Sequence, residues 1–424
     1  MQSSSATPGR APLMALETAL EQLLAAARPS TRVERVATWD ADGRVLAADL
    51  VSELQVPAQD SAAMDGYAVR VADLSAADQV LPLSQRIAAG QAAQPLRAGT
   101  CARIFTGAPM PCGADAVVMQ EDTRTVGGNL HGVHIQTLPT PGQWVRRAGE
   151  DVARGAVVLP RGTRLSPASL GLAASIGLVQ LPLCARLRVA LFSTGDELVM
   201  PGDLAPQQMP PGAIYNSNRF FLRALLQRLG CAVSDLGIVP DQRAATQAAL
   251  ETAANDHDLI LSSGGVSVGE EDHVKPAVQQ LGRLDLWQIA MKPGKPFAYG
   301  SVRRGAGGDA DACHFIGLPG NPVSAFVTFL LLVRPFLLKL QGALLPELPV
   351  SVLPAHFDLL RAERRREFLR VRRNAAGGLD LFANQSSGVL SSLVWGDGLL
   401  DHAAGHIIQR GDPVRFIAFA DLLH

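Results

Sequence analysis

Five short stretches of this chain carry residue types that bind and polarise phosphates. They read Ser193-Thr194-Gly195-Asp196-Glu197, then Asp241, then the run from Ser262 through Asp272, then Lys292-Pro293-Gly294-Lys295-Pro296, and last Gly317-Leu318-Pro319-Gly320-Asn321-Pro322. Glycines let backbone N–H groups approach a phosphate, and the hydroxyls of Ser262, Ser263 and Ser267 add donors. Lys292 and Lys295 offer point charges to an anion. Asp196, Glu197, Asp241 and Asp272 are hard oxygen ligands of the kind that share Mg2+ with phosphate oxygens. Together they could bind a phosphate- or pyrophosphate-bearing ligand with a divalent metal. Turn and capping preferences explain any one such loop. They explain poorly why five recur, each directly after an apolar run.

Other patterns carry less. Gly265-Val266-Ser267-Val268-Gly269 fits the GxSxG elbow of serine hydrolases, but Ser263-Gly264 already breaks the strand and the charged Glu270-Glu271-Asp272 follows. Gly305-Ala306-Gly307-Gly308 opens no helix, so it is no dinucleotide fingerprint. His402 and His406 have helical spacing but no third ligand near, and read as solvated surface. Met64-Asp65-Gly66 reads as a hairpin turn, and the segment from Arg146 to Asp151 as a solvated charge cluster. The arginine-rich stretch 361–373 reads as an exposed strand edge blunted by charge, with little to favour nucleic acid.

The elements that must position these tips alternate. Apolar runs at 187–192, 236–239, 259–261, 286–291 and 314–318 predict buried strands. Helical patterns at 217–229, 241–255 and 272–281 lie between most of them, and a last helix at 321–340 has Asn321 as N-cap and Pro322 at its first position. Strand and helix in alternation predict a doubly wound parallel sheet with right-handed crossovers, and ligands then bind outside the carboxyl ends of its strands. Upstream, leucines at 13, 16, 20 and 23/24 predict a helix. Short strands punctuated by Gly and Pro, with a turn at Gly127-Gly128-Asn129, predict a strand-rich module at 54–140. From about 347 onward the texture is again that of strands, in a small barrel or sandwich.

Length and composition bound the rest. The 424 residues suggest about three domains, and 47% hydrophobic against 18% charged residues exclude a disordered chain. Lys+Arg 38 against Asp+Glu 39 leaves no bulk field to gather nucleic acid or an anionic membrane. The longest apolar run, 323–333, stops at Arg334-Pro335 and is too short to span a bilayer. The first apolar stretch carries Glu17 and Glu21 and lacks the basic lead of a signal peptide. Five cysteines without a CxxC pair support neither a disulfide framework nor a zinc site. These features lead us to expect a cytoplasmic protein that binds no membrane.

Taken in order, eight motifs resemble one family, the MoeA-type molybdopterin molybdenumtransferases that share their fold with the E domain of gephyrin. They are AMDGYAVR at 63–70, TGAPMP at 106–111, AVVMQED at 116–122, RRAGED at 146–151, FSTGDEL at 192–198, SSGGVSVGEED at 262–272, KPGKPFAYG at 292–300 and GLPGNPVSA at 317–325. The resemblance implies an elongated homodimer of four-part subunits. A discontinuous first domain (13–53 with 141–185) would hold an inserted β-rich domain (54–140). An α/β domain similar to the molybdopterin adenylyltransferases (186–345) and a C-terminal β-barrel (346–424) would follow.

It also implies an activity. The family inserts molybdenum from molybdate into adenylylated molybdopterin, cleaving the pyrophosphate bond and releasing AMP; the substrate could arrive from a molybdopterin adenylyltransferase. Asp65 is similar to a required family aspartate that reaches the partner subunit's cleft, so the active site would be shared across the dimer. Asp65, Asp151, Lys292 and Lys295 would be catalytic. Thr106, Arg147, Thr194, Gly195, Ser262, Gly264, Gly265, Ser267, Pro319, Gly320 and Asn321 would bind substrate, and Glu197, Asp241 and Asp272 would hold Mg2+. Molybdenum would be captured by the pterin's dithiolene sulfurs, without the protein's cysteines. The stretch Gln59-Asp60-Ser61-Ala62-Ala63 departs from the family's usual Phe-Asp-Asn-Ser-Ala, and the loop 202–212 is proline-rich. Two other functions are weighed: the preceding adenylyltransferase step, and a non-catalytic scaffold of the gephyrin type. Molybdate and tungstate have nearly the same size and charge, so the sequence does not choose between them.

Overall fold

The structure is a computed structural model that describes residues 13–126, 132–265, 273–305, 312–345 and 347–423. The expected turn at 127–129, most of the 265–269 and 305–308 glycine motifs, Ser267 and Asp272 lie outside the described residues.

The functional cleft depends on a six-stranded sheet. Its order is Ala232–Val239, Arg188–Thr194, Leu259–Ser263, Cys313–Leu318, Pro296–Val302 and Gly282–Gln288. The first four are mutually parallel, and Pro296–Val302 runs antiparallel to both neighbours. Gly282–Gln288 therefore runs in the common direction, and the expected parallel sheet is interrupted by one reversed strand. That strand is not legible in the sequence because Pro296 and Gly300 are unusual strand residues.

Side chains alternate with period two, and both faces are covered. Val189, Leu191, Leu259, Leu261, Ile316 and Leu318 enter one core, with the helices Leu16–Ala26 and Asn218–Arg228 and the long helix that begins at Pro322. Ala190, Phe192, Ile260 and Phe315 enter a second core beneath Arg243–Asp256 and Val274–Leu281. The long helix runs on through Arg334-Pro335 to Leu340, with a π-helical turn at Phe329–Val333. Proline cannot donate to the preceding turn, and the wider turn absorbs that loss. So Arg334-Pro335 does not end the apolar helix. By length and composition Pro322–Leu340 could cross a membrane, yet 78% of that window is buried inside the protein. It is a core helix.

Before the sheet, Val33–Ala37 pairs antiparallel with Gln180–Cys184, and Leu50–Val51 with Val157–Leu159, so the chain leaves and returns to one unit. Between them lies a four-stranded sheet in the order Leu83–Ile87, Cys101–Ile104, Gly66–Val69, Ala116–Met119, beside a three-stranded one.

The C-terminal sheet has the order Met291–Lys292, Arg366–Arg373, Gly398–His402, Pro413–Ala418, Ser351–Pro354. A further strand, Leu379–Leu381, pairs antiparallel with Arg366–Arg373, and a parallel bridge ties it to Ala355, just past the end strand Ser351–Pro354. Arg366–Arg373 is an interior strand of this sheet rather than an exposed edge. Arg370 is 1% exposed and donates to Ser392 Oγ at 3.0 Å and to the carbonyls of Phe368 and Ser386. Arg366 and Arg415 pair with Asp401. His402 is likewise buried, its Nε2 3.0 Å from the His406 carbonyl, while His406 is exposed.

Candidate functional site

At the carboxyl ends of the parallel strands the chain opens into a cleft of about 760 Å³. Thr194, Gly195 and Glu197 line it from the first strand's loop, Asp241 from the second, Ser263, Gly264 and Gly265 from the third, and Pro319, Gly320 and Asn321 from the fifth. The tips do converge. Backbone geometry explains their glycines. Gly264 and Gly265 have φ +92° and +67°, and a Cβ there would lie 2.6 Å from the Thr194 carbonyl oxygen and 2.5 Å from Val274 Cγ2. At Gly195 a Cβ would lie 2.5 Å from Glu197 Oε2, so the carboxylate folds over a space only glycine leaves open.

Two helices begin in the cleft, one at Ser217-Asn218 and one at Asn321-Pro322. At neither start does the N-cap side chain itself accept a first-turn bond, but the Arg219 amide donates to Asn216 Oδ1 at 3.3 Å and the Val323 amide to the Ser387 carbonyl at 3.0 Å. Asn218 instead donates to Ser263 Oγ at 2.8 Å and to the Gly320 carbonyl at 2.7 Å, tying three tips together. Asn216, 2% exposed, lines the cleft and its amide nitrogen has no hydrogen-bond partner. Leu198, Ile214 and Tyr215, on a short parallel ribbon, add an apolar wall, and Gly388 and Leu390 close the cleft from the C-terminal region.

A second constellation sits in the inserted module. Asp65 Oδ1 accepts from both the Thr106 amide and the Thr106 hydroxyl, each at 2.7 Å. These bonds hold the Asp65 carboxyl below the usual carboxylate range. Arg147, from the segment that returns after this module, pairs with Asp60 at 2.6 Å, and Asp60 Oδ1 accepts from the Ala148 amide at 2.9 Å. That amide bond, followed by Arg147, keeps Asp60 ionised against the opposing cost of burial. Asp151 is exposed, and neither Asp65, Thr106, Arg147 nor Asp151 lines the cleft of its own chain.

Comparison with known proteins decides what this arrangement belongs to. A molybdopterin molybdenumtransferase 2 of Mycobacterium tuberculosis is 38% identical over 94% of this chain and 91% of its own length. The chain belongs to the molybdopterin molybdenumtransferase family. A family member from Haemophilus influenzae is 41% identical over 78% of each chain. Residues 14–177 match the MoeA N-terminal region (domain I and II), 190–339 a probable molybdopterin binding domain, and 352–419 the MoeA C-terminal region (domain IV). The crystal structure of a molybdopterin biosynthesis MoeA protein from Pyrococcus horikoshii superimposes with a TM-score of 0.80 at 27% identity, over 96% of this chain and 100% of that one.

Set against this family, the expected residues fall into groups. Thr194, Gly195, Glu197, Asp241, Gly264, Gly265, Pro319, Gly320 and Asn321 meet in the cleft. Ser262 does not: it is fully buried, and its neighbour Ser263 faces the cleft instead. A slip of one residue in a strand exchanges its faces. Lys292 is already engaged, because Glu367 and Glu363 hold its ammonium at 2.9 and 3.1 Å. Burial works against its charge, but those two carboxylates outweigh it and raise its pKa. Sequence reasoning missed Asn216, Asn218, Leu198, Ile214, Tyr215, Gly388 and Leu390. Asn216 and Asn218 stand just before and at the start of a predicted helix, and that was the signal available.

The donor set suits Mg2+ without enclosing it. Glu197 and Asp241 share the rim, while no group of three or more His, Cys, Asp or Glu among the described residues could hold a metal alone. Mg2+ is commonly held by one or two carboxylates together with substrate phosphates.

Proposed function

We propose that the protein acts in molybdenum cofactor biosynthesis by inserting molybdenum from molybdate into adenylylated molybdopterin, breaking the pyrophosphate bond and releasing AMP. The observation that carries this reading is the convergence of four glycine- and carboxylate-bearing strand tips, with the starts of two helices, in one cleft. Such a floor binds a pyrophosphate through backbone N–H groups, and Asn216 adds an unpaired amide donor. The wall of Leu198, Ile214 and Tyr215 receives a flat ring of the substrate.

Glu197 and Asp241 would hold Mg2+ against the pyrophosphate. When bound, the ion would neutralise charge on the bridging and departing oxygens. The cationic loop at 292–295 takes the incoming oxyanion. Asp65 has one oxygen committed to Thr106 and the other free to accept a proton or orient a ligand. Because it lies away from its own chain's cleft, we place it in the cleft of a second copy within a homodimer. We further propose that the substrate comes from a molybdopterin adenylyltransferase and that the reaction is cytoplasmic.

The test is to supply the purified protein with adenylylated molybdopterin, Mg2+ and molybdate and to follow AMP. Release only when molybdate is present supports insertion. Release without molybdate, or adenylylation of free molybdopterin from ATP, would sink it.

A further inference from the structure

The loop Lys292-Pro293-Gly294-Lys295 is fixed at three points. Met291–Lys292 pairs in parallel with Arg366 and Glu367 of the C-terminal sheet. Gly294, at φ +103°, presses so close to the helix Pro322–Thr328 that a Cβ would collide with Thr328 Oγ1. The next residue after the loop, Pro296, lines the cleft. At the near end sits an ion cluster. Lys292 donates to Glu367 Oε1 and Glu363 Oε2, and Arg365 lies 3.7 Å from Glu363 and donates to the Met291 carbonyl.

The magnitudes decide what this cluster does. Glu367 is only 5% exposed, and a carboxylate so buried needs a cation beside it. Lys292 is thus engaged by two carboxylates at once, and the buried Arg370 also feels the Glu367 charge. Lys295 differs: among the described residues its ammonium has no hydrogen bond or ion pair. The two lysines, three residues apart, therefore have opposite electrostatic situations.

We propose that Glu363 and Glu367 are positioning residues for the oxyanion site: by gripping Lys292 they fasten the loop to the C-terminal sheet, and Lys295, not Lys292, meets the oxyanion. This deepens the molybdenum-insertion reading and rests on it for the identity of the anion. The C-terminal region then contributes to the site in two ways, by the grip on Lys292 and by Gly388 and Leu390 in the cleft wall.

The experiment uses the full chain and sodium molybdate as probe, with calorimetric binding and thermal melting read separately from AMP release. K295M should weaken molybdate binding about tenfold or more at unchanged melting temperature. K292M should lower the melting temperature, because the buried Glu367 loses the ammonium it is bonded to, and K292M/E367Q should recover most of that loss. E367Q should weaken molybdate binding about tenfold, and K292M/E367Q should weaken it no further than either single change. E367D, which keeps the charge, should bind more tightly than E367Q. The proposal is overturned if K292M melts like the parent yet loses molybdate, if E367Q binds molybdate more tightly, or if the parent binds none. The expected pattern without any AMP release overturns the insertion reading and leaves the grip standing.

Discussion

Thr106 spends two donors on one oxygen of Asp65, and that choice has a measurable consequence. The bonds stabilise the charged carboxylate, so the folded-state pKa lies below the unfolded one. Whatever depends on ionised Asp65 is therefore present above the ordinary carboxylate range and lost only as pH falls through the lowered value. T106V should move the acidic limb of the pH–rate profile upward, toward about pH 4, while T106S should keep it low. An unmoved limb in T106V would separate Asp65 from the chemistry. In the cleft, G265A should cut turnover strongly at a cost of about 1–3 kcal/mol of stability, measured by denaturant melts, since its φ is positive and Val274 occupies the space. Glycine and carboxylate positions were legible because each loop's chemistry is local. Ser262 and Ser263 were not, because two adjacent serines at a strand end carry no mark of which one faces in.

At the scale of elements, the sequence is read well where patterning is repetitive and poorly where partners are remote. The four parallel strands and the helix over 321–340 follow from apolar runs and a Pro at the first helical position. Arg366–Arg373 was misjudged because seven arginines in 361–373 suggest solvent. Its partners Asp401, Ser392 and Ser386 lie well downstream, outside any local pattern. Burial raises the cost of the Asp401 charge, but hydrogen bonds from Arg366 and Arg415 outweigh it and the pKa is lowered. This contribution is present above the ordinary carboxylate range and lost as pH falls below it. Hydrogen exchange of the C-terminal strands should therefore accelerate below about pH 4, and D401N should bring the same acceleration at neutral pH. R370M, which strands Ser392 and two carbonyls, should cost about 2–4 kcal/mol by chemical unfolding.

Across the whole molecule, regions distant in sequence share one core. Leu16, Ala19 and Leu23 meet Phe336 of the long helix, Phe368 and Ile417 of the C-terminal sheet, and Phe419 of the helix that follows it, in a single cluster. Removing residues 346–424 would bare that surface, so the truncated chain should elute as aggregate in size-exclusion chromatography; a monodisperse monomer would contradict this. Such joining is invisible to a segment-by-segment reading, which finds elements and not which of them share a core. The first described residues are held the same way. The Met14 amide donates to the Gln288 carbonyl at 2.8 Å, its carbonyl accepts from Ala290 at 2.7 Å, and Glu17 pairs with Arg366. During translation the seat of this helix is finished only after some 350 further residues have emerged. Until then the nascent chain must carry a bare leucine face, which makes this segment a natural client for a holding chaperone.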